Sequence, residues 1–129
     1  MKPFDPDHKL PDGMTLADKF GDPGRIDILA ETKAGEVLMI LVCHGFIDGA
    51  PETQKALLDK MRGYLNHTQS GKFRETYADW PVILRVAFNE IPDQRVMALL
   101  SRCLPWAADY GVKLEFEIGG KQVRFVEQS

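Results

Sequence analysis

No apolar run in these 129 residues approaches the ~20 needed to span a bilayer as a helix. There is no basic excess either: 16 Lys and Arg stand against 19 Asp and Glu, for a net charge of −3. A chain of that sign does not neutralise a phosphate backbone, so neither nucleic acid nor an anionic membrane is an expected partner. Cysteine is scarce. Cys43 and Cys103 are the two present, with no C-x-x-C spacing, and both lie in apolar patterns. Two reduced, buried thiols are therefore expected rather than a redox or metal pair. No G-x-G-x-x-G, Walker loop, H-E-x-x-H or G-x-S-x-G occurs, so no cofactor and no metal is called for. The opening M-K-P-F-D-P-D-H lacks the apolar core of a signal peptide, and a cytoplasmic location is expected. Repeats and low-complexity tracts are also missing.

What is present is one dominant stretch, Val37 to His44, reading V-L-M-I-L-V-C-H between Gly35 and Gly45. Eight residues rich in Val and Ile, bracketed by glycine, favour a buried strand over a helix. Side chains alternate along a strand, so Val37, Met39, Leu41 and Cys43 share one face, and Leu38, Ile40, Val42 and His44 the other. Both faces are greasy. The strand should lie centrally, with something covering each side.

The rest of the chain arranges itself around that strand. Residues 1–24 are punctuated by four prolines and three glycines and are expected to form a mostly irregular arm, with a short helical turn from Thr15 to Phe20; the arm either docks on the body or frays as a terminus. Residues 25–129 then form a single domain, a common domain size. Arg25 to Thr32 reads as a strand with Ile26, Ile28 and Ala30 on one face, turning at Gly35 into the central one. Pro51 to Thr68 reads as a helix. Its apolar stripe is Leu57, Leu58, Met61, Tyr64 and Leu65, with Gln54, Lys55, Asp59, Lys60 and Arg62 toward water and a stop at Ser70-Gly71. Lys72 to Pro81 is expected to be a connection whose aromatics, Phe73, Tyr77 and Trp80, pack beneath it rather than bind a ligand. Val82 to Asn89 alternates as a strand. Asp93 caps a second helix that Pro105 should kink and Gly111 should end. Gly119-Gly120 joins two last strands, Lys113 to Ile118 and Lys121 to Val126. That turn sets a register in which Ile118 faces Lys121, Phe116 faces Val123, Leu114 faces Phe125 and Glu115 faces Arg124.

The predicted order is ββαβαββ. It implies an α/β (α+β) two-layer sandwich, with a mixed sheet of about five strands and two helices on one face. The uncovered face would then carry Leu38, Ile40 and Val42 with Ile83 beside them, an apolar patch of a kind rarely left in water. A second copy of the chain is the leading expected cover; the arm or an unidentified protein partner are the others. A separate possibility lies at the carboxyl ends of the parallel strands, where ligands favour open α/β sheets. There His44, Asp48 and Glu90 could converge as acid, base or ligand. His44 as a half-buried, hydrogen-bonded strand-end histidine and Asp48 as a helix cap is the plainer reading, and His8 and His67 read as exposed. No catalytic residue is assigned, and whether the chain is an enzyme stays open.

Asp27-Ile28, Gly35-Glu36-Val37, Cys43-His44, Leu57 through Tyr64-Leu65, and Ser70-Gly71 together resemble an uncharacterised family of small bacterial domains. Its pattern runs D-x-I, G-E-V-x-L-x-I, an Asp-His pair and a tryptophan, then L-x-x-K-I-x-x-Y-L ending near S-G. The likeness spans roughly residues 25–118. It implies the same fold and no particular activity. Cys43 stands where that family often has aspartate, and Phe46 or Ile47 where it has tryptophan, so a site built on the acid does not carry over. The expected function is a non-enzymatic interaction or structural domain that self-associates through its sheet. The alternative is a small-molecule-binding protein or enzyme with its site around His44, Asp48 and Glu90.

Overall fold

The computed structural model describes residues 13–21 and 26–123; expectations that fall on Phe4, His8, Leu10, Arg25, Arg124, Phe125 and Val126 lie outside them. Strands β1 (Ile28–Glu31), β2 (Val37–Cys43), β3 (Val82–Phe88), β4 (Val112–Ile118) and β5 (Lys121–Val123) form one open sheet in sequence order. β2, β3 and β4 are parallel, and β1 and β5 pair antiparallel to their neighbours. This is the expected mixed-sheet α+β architecture. The two long helices are α2 (Pro51–His67) and α4 (Gln94–Asp109), and two short ones, α1 (Leu16–Phe20) and α3 (Gly71–Thr76), accompany them. β2 is internal, though the middle strand of the five is β3.

Local chemistry explains most boundaries. Thr15 caps α1 through a reciprocal box: its side chain accepts from Asp18 N at 3.1 Å while its own N donates to Asp18 Oδ2 at 2.9 Å. Pro51 opens α2, where a missing N–H costs nothing. Asp93 caps α4 by accepting from Arg95 N at 2.8 Å. α4 continues unbroken through Pro105, so the proline does not end it. The β4–β5 hairpin has the expected register, Ile118 opposite Lys121 and Phe116 opposite Val123. Both turn glycines take positive φ, +58° at Gly119 and +84° at Gly120, as a two-residue hairpin requires.

Four expectations change. Ser70 does not end α2, whose cap is Thr68; its hydroxyl instead accepts from Phe73 N at 3.2 Å and starts α3 inside the supposed irregular connection. Ile26 does not join Ile28 and Ala30 on the open face: it precedes the strand and packs against the core. Asp48 is not the cap of α2, a position held by Ala50; its carboxylate accepts from Ala50 N at 3.0 Å, a turn closed just before the helix. Lys60, assigned to the wet side of α2, is fully buried.

The core lies between the sheet and the helices. Met39, Leu41 and Cys43 of β2, Leu84, Val86 and Phe88 of β3, and Leu114 and Phe116 of β4 meet Leu57, Met61, Tyr64 and Leu65 of α2 and Val96, Leu100, Cys103 and Ala107 of α4. Leu16 and Phe20 bring α1 into the same cluster. Both cysteines are free and buried, as expected. Burial pushes both thiols up from their ordinary value, Cys43 strongly so, the nearby Lys60 ammonium only partly opposing it.

Candidate functional site

Strand pairing decides which side chains share a face. Leu38 lies opposite Ile83, Ile40 opposite Arg85 and Val42 opposite Ala87; Ile28 lies opposite Ile40 and Ala30 opposite Leu38. Paired residues point the same way, so Ile28, Ala30, Leu38, Ile40, Val42, Ile83 and Ala87 line one continuous surface. This is the face away from the helices. Leu38, Ile40 and Val42 belong neither to the core nor to the partly buried apolar residues packed against it. Each is partly exposed, and Ile28 is 45 % exposed. Ile83, between Leu38 and Lys113, retains 7 % of its surface and offers little area of its own.

The same face becomes charged toward β4. Arg85 donates from Nε and Nη2 to Glu115 Oε2 at 3.2 and 3.0 Å, and lies 3.8 Å from Glu117. Lys113 is 3.6 Å from Glu115. Two cations and two carboxylates thus balance beside the apolar half. Glu115 is 9 % exposed, and a carboxylate that covered is tolerable because two cations flank it.

The strand-end residues are placed differently. His44 follows β2, is exposed, and donates its backbone N–H to Lys19 O at 2.8 Å. Asp48 is spent on its own turn. Glu90 is exposed beyond β3. No hydrogen bond or ion pair joins the three, and among the described residues no group of three or more His, Cys, Asp or Glu could hold a metal. The strand ends are instead tied by loop hydrogen bonds. Asn89 Oδ1 accepts from Gly45 N at 3.2 Å, and Ile47 O accepts from Asp93 N at 3.0 Å. Arg95, paired with Asp93, sits so close over Gly49 that its Nε leaves no room for a Cβ there.

A buried polar cluster not foreseen from the sequence lies under α1. Lys60 Nζ donates to Asp27 Oδ1 at 2.9 Å and to Phe20 O. Asp27 Oδ2 accepts from Val42 N at 3.0 Å, Asp27 N donates to Tyr64 Oη at 2.7 Å, and Tyr64 Oη donates to Ile40 O at 3.1 Å. Burial pushes the Tyr64 phenol well up from its ordinary value, so it remains a neutral donor. The cluster ties α1, the segment before β1, β2 and α2 together. The signal was available: Lys60 stands four residues from both Ala56 and Tyr64, on the buried stripe.

Comparison with protein-family models, with curated proteins and with solved structures returns no match for this chain.

Proposed function

We propose that this chain is an interaction domain that associates with a second copy of itself through the open sheet face. The observation that supports this is the surface running from Ile28 through Leu38, Ile40 and Val42, apolar and outside the core. Its charge pattern favours a copy over other covers. A two-fold interface sets one patch against itself, so a patch with net charge repels its own partner. Here Arg85 and Lys113 offset Glu115 and Glu117, and that repulsion is absent. Placing the apolar half of one copy against that of the other covers what remains exposed of Leu38, Ile40 and Val42, a fraction of the roughly 1.5–3 kcal/mol that full burial of such a side chain is worth.

No catalytic role is part of this reading. The alternative, a ligand or catalytic site around His44, Asp48 and Glu90, has no hydrogen bond or ion pair among these three residues to favour it. The test is molar mass by light scattering over a wide concentration range, for the full chain and for Ile40→Glu. The full chain is expected to approach twice the monomer mass as concentration rises, and the variant to remain monomeric with unchanged secondary structure. A full chain that stays at monomer mass throughout overturns the proposal.

A further inference from the structure

At the end of the sheet opposite His44, where β3 and β4 begin, a cavity of about 370 Å3 opens between α3 and the end of α4. That volume falls within the roughly 300–1,000 Å3 of small-molecule sites. Three rings stand in succession along one wall. Phe73 and Tyr77 have centroids 5.1 Å apart, and Tyr77 and Trp80 5.3 Å apart. Val82, Tyr110 and Gly111 contribute to the rest of the lining. The expectation that these aromatics merely pack beneath a connection holds for Phe73, which is 6 % exposed, and fails for Trp80, which is 36 % exposed. An indole with about a third of its surface exposed, beside a second, half-buried ring, is surface available to a flat partner.

Among the described lining residues Arg74 alone is charged. Its position is held: Gln69 Oε1 accepts from Arg74 Nη2, while Gln69 Nε2 donates to Thr68 Oγ1 at 3.0 Å and to Tyr110 O at 3.3 Å. The amide is thereby used up in fixing the guanidinium at the wall. No carboxylate among the described residues pairs with Arg74, which leaves the planar fork able to receive an anion in bidentate fashion. A cation would be repelled, and a polyanion would find a single positive group.

We infer that this cavity binds a flat aromatic monoanion of the aryl carboxylate class, its ring face on the Trp80 indole with Tyr77 at its edge, since those two planes cross at 68°, and its carboxylate on Arg74. The site is separate from the open sheet face, and its occupancy does not depend on self-association.

The probe is 2-naphthoate, with its neutral isostere 2-naphthamide as control, titrated into the full isotope-labelled chain and followed by amide chemical shifts. Saturable shifts confined to residues 69–82 and 110–111 are expected. Arg74→Gln, an exposed substitution that leaves the fold intact, should weaken naphthoate about tenfold, near the loss of one charge-assisted pair. It should leave the weaker naphthamide affinity unchanged, and Trp80→Ala should weaken both ligands. Shifts that never saturate, that map elsewhere, or that are indifferent to Arg74→Gln overturn the inference.

Discussion

The two faces of β2 have nearly the same chemistry and opposite fates. Met39, Leu41 and Cys43 are fully buried, while Leu38, Ile40 and Val42, interleaved with them, remain partly exposed. Hydrophobicity made both faces suitable for burial. Among the described residues, the helices cover only one of them. The polar groups follow the same division. On the covered face a charge survives only when its hydrogen bonds are met, as Lys60 does through Asp27 and Phe20. On the open face charges sit beside the apolar patch in a balanced row. The buried face belongs to the fold; the face of equal character outside it is the one proposed as the interface.

That comparison can be broken at the covered side first. Lys60→Ala leaves Asp27 without its cation. Because Asp27 is 23 % exposed and water can reach it, the expected loss is near the low end for a broken buried pair, about 3 kcal/mol by urea denaturation. Leu41→Ala opens a cavity in the core and should cost about 2–5 kcal/mol at any protein concentration. Ile40→Ala, one residue away, should cost about 1 kcal/mol or less in dilute solution, yet it should lower the thermal midpoint of concentrated protein, where association adds stability. Equal losses at Leu41 and Ile40 in dilute solution would erase the distinction between the faces.

Smaller effects sharpen it. Glu115→Gln removes the shared partner of Arg85 and Lys113 and should cost about 1 kcal/mol, less at high salt. It also leaves the open face with a net positive charge, so it should weaken self-association more than it weakens the fold. The least effect concerns acid. Arg95 holds the Asp93 carboxyl below its ordinary 3.8. A carboxylate whose folded value is depressed adds stability above its unfolded value and loses it as pH falls through the folded one. Asp93→Asn should therefore lose a slight stability at neutral pH, and flatten the matching part of the acid-induced loss below about pH 4, where the two proteins converge.

Much of this was legible in the residues. The Gly119-Gly120 turn fixed a register because only glycine takes both positive φ values easily. The alternation in β2 gave its two faces because strand side chains have a period of two. Lys60 was misread because the chemistry of lysine outweighed its place on the buried stripe, and its partner Asp27 lies 33 residues away. α3 was missed because Ser70-Gly71 fits a helix end as well as a beginning. The strand-end residues illustrate a further limit. Topology puts His44 and Glu90 at one end of the sheet, but loop hydrogen bonds such as Gly45 N to Asn89 Oδ1 decide whether side chains meet, and spacing carries no record of them. The aromatic cavity depends likewise on how far Trp80 stays out of the core.

The most direct test of the open face as an interface is an isotope-filtered NOE experiment on an equal mixture of 13C-labelled and unlabelled full chain at high concentration. Contacts between copies are expected from the methyl groups of Ile28, Leu38, Ile40 and Val42, and none from those of Leu41 or Leu57. Intermolecular contacts confined to the helical side, or none from the open-face methyls, would contradict self-association through the sheet.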